Sequence, residues 1–243
     1  MIAFESLSKQ YGTFEAVKPL TLQVGKGEVF GFLGPNGAGK TTTIRMLMGI
    51  LVPSSGRVLV DGLDCHSDGA AVKRKVGYLP DNPIFYDYLR GREILQFVAE
   101  MHGYLRAEAA VRTARLLKEF GLDEASEDFA GNYSLGMKKN LGLASALIHD
   151  PAVLILDEPI NGLDPRASRD VQERWLRIAA AGTTICVSTH LLDMAQKLCS
   201  RVAIIHRGAL VATGSLDDIR HQLSSEGSLE DIFLQLTDET ATA

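Results

Sequence analysis

Four runs of the chain are apolar without alternation: Glu28 to Gly34 (EVFGFLG), Ala152 to Pro159 (AVLILDEP), Thr183 to Thr189 (TTICVST) and Arg201 to His206 (RVAIIH). A strand solvated on one face alternates apolar and polar residues, so these continuous runs predict parallel strands covered on both faces. Helical stretches follow the first three runs: GKTTTIRMLMGI, DPRASRDVQERWLRIAAA and HLLDMAQKLC. Strand then helix, repeated, predicts an α/β sheet with right-handed crossovers. From about Tyr88 to Ile148 the pattern changes, and REILQFVAEMHGY and AEAAVRTARLLKEFGL read as consecutive helices with no strand between them. The expectation is one domain over 1–243, with an α-helical subdomain inserted at about 88–148 and a C-terminal tail at about 208–243.

Composition narrows the function classes. With 243 residues, 46% hydrophobic and 23% charged, the chain can bury a substantial core. Its formal net charge of −5 provides no overall basic field, so nucleic acid is not an expected partner. Cys65, Cys186 and Cys199 are too widely spread for a disulfide framework or a zinc site, which suits a reducing compartment. The start, MIAFESLSKQYGTFEAV, has no basic segment leading into a long apolar core, so no signal peptide is expected. The longest nearly apolar stretch, LGLASALIHDPAVLILDEP, is broken by His149, Asp150 and Pro151, short of the roughly 18 apolar residues of a spanning helix. A membrane role would need a partner.

Gly34 to Thr42, GPNGAGKTT, fits G-x-x-x-x-G-K-[ST] between a predicted strand and a predicted helix. Gly34, Gly37 and Gly39, with Pro35, Asn36 and Ala38 between them, form a loop whose backbone N–H groups can face phosphates. The helix after it presents a positive N-terminus, Lys40 reaches the β and γ oxygens, and Thr41, beside Thr42, can coordinate Mg²⁺. LILDEP puts Asp157 and Glu158 at the carboxyl end of a parallel strand, in the crevice where α/β sheets bind ligands. Asp157 is placed to hold Mg²⁺ through water. Glu158 is placed to polarise an attacking water, a general-base contribution typically worth about 10² to 10⁴ fold. Alone, the pair also reads as two acids closing a strand at the surface. His190 ends the next strand in VSTH and is a candidate contact to a γ-phosphate, although a lone histidine is more often structural.

NYSLGMKKN, residues 132–140, carries a glycine where a helix is about to begin, at a cost of roughly 1 kcal/mol relative to alanine in a helix interior. In this order and spacing the phosphate loop, YSLGMKK, LILDEP, NGLD and STH resemble the ATP-binding subunit of ABC transporters, over essentially the whole chain. Tyr133 to Met137 then occupies the place of that family's signature, usually LSGGQ. The resemblance implies a P-loop NTPase (RecA-like) core with an N-terminal antiparallel β region. It also implies that ATP and Mg²⁺ are bound, and that the signature start of one subunit points at the γ-phosphate held by another. Serine is a favoured N-cap, exposed N–H groups at a helix start bind anions, and glycine leaves room for a phosphate. An ordinary capped helix has the same residues.

Ser134 and Gly136 are therefore the signature candidates, while Leu135 and Met137 replace the usual glycine and glutamine. Tyr11 resembles the aromatic that stacks on adenine, worth roughly 1–3 kcal/mol by analogy with base-binding proteins; an ordinary strand tyrosine is the alternative. Asp81, in VGYLPDNP, stands where the family usually has glutamine; it can accept from water or ligate Mg²⁺ but, ionised, cannot donate. Asn161 heads NGLD, and Asp164 falls near the expected subunit interface. The implied partners are a second ATPase subunit, in a homodimer, and integral membrane transporter subunits. The implied location is cytoplasmic, peripheral on the cytoplasmic face of the membrane. HRGALVATGSLDDIR followed by GSLEDIFLQLT resembles the ends of bacterial exporter ATPases encoded apart from their membrane protein, and SLEDIFLQL reads as an amphipathic helix. The alternative is a soluble ABC ATPase acting on a protein or ribosomal partner. About ninety residues separate Lys40 from Ser134, enough for a helical subdomain and not for a long coiled coil.

Overall fold

A computed structural model describes residues 1–223, 229–231 and 233–234 of the chain. The chain opens with β1 (Ile2–Tyr11), β2 (Phe14–Val24) and β3 (Val29–Leu33), then α1 (Lys40–Leu47), β4 (Ser55–Val60), β5 (Leu63–Asp64), α2 (Gly69–Lys73) and β6 (Val76–Leu79). Three helices follow, α3 (Gly91–Met101), α4 (Arg106–Glu119) and α5 (Leu135–Leu147), with a short 3₁₀ turn at Ala130–Asn132 before the last. The rest alternates: β7 (Val153–Asp157), α6 (Pro165–Ala180), β8 (Thr184–Thr189), α7 (Leu192–Leu198), β9 (Arg201–His206), β10 (Ala209–Gly214) and α8 (Leu216–Leu223). These elements gather into two units, 1–72 with 175–243 and 73–174.

In the first unit β1 pairs antiparallel with both β2 and β4, in the order β2-β1-β4-β5. This is the expected N-terminal antiparallel region. β3 pairs parallel with β8 on one side and β9 on the other, and β9 turns back antiparallel into β10. Every residue of β3 and β8 is buried, which is why their sequences run apolar without alternation. Leu33 packs with Ala195 of α7, Val202 and Ile204 of β9, Ile219 of α8 and Leu229. Of the predicted amphipathic SLEDIFLQL helix, only 229–231 and 233–234 are described; the remainder lies outside the described residues.

In the second unit β6 and β7 pair in parallel from Val76↔Val153 to Leu79↔Leu156. Leu95 and Ala99 of α3, Leu116 and Leu117 of α4, and Leu141 and Ala144 of α5 are buried. The α3 to α5 stretch has the consecutive helices that the sequence pattern predicts. β6 is the element that the pattern did not announce: its four residues lie between Lys75 and Pro80 and set the start of the loop that carries Asp81.

Candidate functional site

The phosphate loop leaves β3 at Gly34 and enters α1 at Lys40, and its shape is imposed by the backbone around it. A β-carbon on Gly34 would stand 2.4 Å from the Ile205 carbonyl oxygen, and one on Gly39 (φ 107°) 2.6 Å from that of Ala16. Neither space exists, so those two glycines serve the loop's close seat on β9 and β2. Gly37 (φ 81°) would meet nothing within 4 Å and is exposed. The seat is completed by the Gly208 N–H, which donates to the Ala38 carbonyl at 3.0 Å, and by the Lys18 N–H, which donates to Gly208 at 2.8 Å. Lys40 is buried, and its ammonium donates to the Gly34 and Pro35 carbonyls at 2.7 and 3.3 Å, so it lies back across the loop. Pro35 is half-buried and Asn36 exposed, and of the next hydroxyls Thr41 is exposed while Thr42 is half-buried.

Tyr11 ends β1 opposite Phe14 of β2, and both rings are exposed. Lys9 Nζ stands 5.2 Å from the Tyr11 ring centroid. Phe14 is a second exposed aromatic on this hairpin, and sequence reasoning did not single it out. His190 immediately follows buried β8 and is itself exposed.

In the second unit β7 carries Asp157, 2% exposed, and the next residue, Glu158, adopts φ 44°, a left-handed conformation costing about 1–3 kcal/mol for a side-chain-bearing residue. The turn closes through the Asn161 N–H, which donates to the Glu158 carbonyl at 3.2 Å, and through Leu163 donating to Ile160 at 3.1 Å. Beyond it, Asp164 caps α6 by accepting from the N–H groups of Arg166 and Ala167 at 2.9 and 3.0 Å, with Pro165 at the first helical position.

Sequence reasoning passed over Lys139. Its side chain is 3% exposed, and its ammonium donates to the carbonyls of Glu158 (3.1 Å) and Asn161 (2.7 Å), with Asp81 Oδ1 4.0 Å away. Burial pulls its pKa below the ordinary lysine value, while the charges of Asp81 and Glu158 oppose that shift. Asp81 therefore faces a buried cation, and the sequence had given it only a metal-side role.

The signature start is built as a capped helix. Ser134 has extended backbone (φ −61°, ψ 164°), and its hydroxyl accepts from the Met137 N–H at 3.2 Å. Ser134 is exposed and Gly136 half-buried beside a cavity of about 260 Å³ whose lining includes both residues, Met137 and Asp164. A β-carbon on Gly136 would meet only Leu163 at 3.7 Å and Ser134 Oγ at 3.9 Å. Nothing in the packing demands a glycine there.

Each unit carries a hard-oxygen donor of the kind Mg²⁺ takes, the Thr41 hydroxyl in the first and the Asp157 carboxylate in the second, and that ion is usually held by one or two carboxylates together with substrate phosphates. A glycine-rich loop running from a buried parallel strand into a helix led by Lys40, on an α/β core, defines a P-loop nucleoside triphosphatase. Residues 17–161 match the ABC transporter family. The chain is 40% identical over 217 residues to the uncharacterized ABC transporter ATP-binding protein YdbJ of Bacillus subtilis, covering 89% of this chain and 70% of that protein. It is 35% identical over 226 residues to the linearmycin resistance ATP-binding protein LnrL of the same organism, covering 93% and 73%. A solved structure described as the ATP binding subunit of an ABC transporter superposes with a TM-score of 0.90 at 33% identity, covering 97% of this chain and 99% of that one. The chain belongs to the ABC transporter family and is an ATP-binding, ATP-hydrolysing subunit of it.

Proposed function

We propose that two copies of this chain close over two MgATP and drive export through separate membrane subunits, on the cytoplasmic face of the membrane. In this reading Lys40 and the loop N–H groups hold the β- and γ-phosphates, and Tyr11 stacks on adenine. Glu158 takes the proton of the attacking water, and His190 contacts the γ-phosphate. Thr41, Asp157 and Asp81 would hold Mg²⁺, which when bound neutralises developing charge on the phosphate oxygens. The observation that carries the reading is the helix start at Ser134 and Gly136: it is capped, outward, and has a glycine the fold does not need. An anion approaching from another molecule supplies the missing reason.

Ile84, Tyr86 and Tyr88, exposed by 86, 78 and 88%, support a protein partner at the loop that follows Asp81. Among the described residues no helix is long and apolar enough to cross a membrane. A similar protein is named for linearmycin resistance, which supports export as the direction. Glu158→Gln tests the reading. It should bind ATP, lose about 10² to 10⁴ fold in turnover, and run as a dimer in size exclusion with ATP and Mg²⁺ but not with ATP and a chelator. Near-normal turnover or a monomer under all conditions overturns it.

A further inference from the structure

Lys139 joins three parts of the second unit that the chemistry needs together. Leu135 and Lys139 lie four apart, on one face of α5. Both meet the turn after β7. A Leu135 methyl lies 2.8 Å from where a β-carbon on Gly162 would stand, and the Lys139 ammonium holds the Glu158 and Asn161 carbonyls. From the other side comes Asp81, on the loop after β6. An ammonium has three donors; two go to carbonyls of the strained turn, and the Asp81 carboxylate stands 4.0 Å from the group.

We propose that Lys139 is the positioning residue for Glu158: it holds the turn that aims the base, fastens that turn to the signature helix, and transmits the state of Asp81 to it. The proposal rests on Glu158 being the base. The left-handed backbone at Glu158 sets where its side chain points and persists only where the surrounding structure holds it, and charge-assisted hydrogen bonds from Lys139 to the Glu158 and Asn161 carbonyls hold it. A shift of about 1 Å at a catalytic group can cost on the order of 10² fold. The same tie makes the helix that faces a neighbour's nucleotide and the turn that carries this chain's own base parts of one body. Asp81 then influences hydrolysis through Lys139, whether or not it also touches metal.

Lys139→Met removes the donors and keeps the length of the side chain. It should lower kcat on the order of 10² fold with ATP affinity unchanged, and the amides of Asn161 and Leu163 should lose hydrogen-exchange protection. Lys139→Arg, which keeps charge and donors, should recover most of the rate. Asp81→Asn should slow the wild type and add nothing in the Lys139→Met background. Unchanged kcat in Lys139→Met, an equal loss of kcat and ATP binding, or no recovery in folded Lys139→Arg overturns the proposal; additive effects of Asp81→Asn overturn the link to Asp81. If Lys139→Met fails to fold, Lys139→Gln, which removes the charge and shortens the reach while keeping two amide N–H donors, carries the same test. Glu158→Gln run alongside separates the two readings: if it turns over normally the base assignment fails, whereas an inactive Glu158→Gln with a normal Lys139→Met defeats only the positioning role.

Discussion

A residue's neighbours say whether its identity is demanded by the fold, and on α5 they divide the glycine from the lysine. At Gly136 the fold would accept a methyl group, so Gly136→Ala should raise stability by about 0.5–1 kcal/mol, the ordinary gain of alanine over glycine in a helix. The thermal midpoint should rise by about 1 to 4 °C. ATP-dependent association should weaken at the same time, because the added carbon stands beside the Ser134 hydroxyl where a phosphate would approach. Thermal melts and size exclusion with ATP read the two effects separately, and unchanged association would leave this glycine without a ligand-side reason. Lys139 is the opposite case. Two lysines in succession read as a solvated face, since lysine is almost never fully buried unless paired. A weak signal was present nonetheless: Lys139 lies four residues before Leu143 and seven before Ala146, both on the buried side of the helix. What the sequence lacked was the partner set, because backbone carbonyls of a distant turn have no residue type to announce them.

Strands that are buried along a run of five or more residues were legible as apolar runs. β3, β7 and β8 are buried at every residue, and each appears in the sequence as an apolar run. β6 is equally a parallel strand, but four residues before a proline give no period to count. Helices at the edge of the second unit show a further consequence of packing. His102 at the end of α3 and His149 just past α5 stack with ring centroids 3.8 Å apart, and Arg112 of α4 ties Asp150 beside them at 2.5 Å. Burial, with the charge of His102 adding to it, pushes His149 down from 6.5 to about 4. The unfolded chain therefore takes up a proton below pH 6.5 that the folded chain refuses until about pH 4. Stability should fall as pH drops through that window and level off below it. The loss should be on the order of 1 to 2 kcal/mol once solvent screening of a partly exposed ring is allowed for. Asp150 contributes in a different range: burial works against its ionisation, but Arg112 and Arg115 hold its carboxyl below 3.8, so its share is lost only in stronger acid. His149→Phe keeps a stacked ring without a proton site. Denaturant melts from pH 7 to 4 should lose the upper limb of the acid dependence in that variant, and an unchanged limb would mean that other groups carry it.

For the whole molecule, a net charge of −5 gives copies of the chain no bulk electrostatic attraction for one another, so any association falls to specific surfaces. The surface proposed above for that assembly is the signature start. If Ser134 and Gly136 serve a neighbour's ATP, a defect in the phosphate loop and a defect in the signature must complement each other when placed on different chains. Lys40→Ala breaks the loop; Ser134→Arg blocks the helix start with a bulky side chain. Each homodimer should fail to close on nucleotide. In the mixed dimer the intact loop of the Ser134→Arg chain faces the intact signature of the Lys40→Ala chain, and one complete site results. Differently tagged copies first establish that subunits exchange; the readout is then occluded ATP rather than phosphate release, because turnover can require both sites. The mixture should trap nucleotide that neither variant traps alone. A site built within one chain predicts the opposite, since neither chain in the mixture would own both working parts, and occlusion held at background after proven exchange would place Ser134 on its own chain's side of the chemistry.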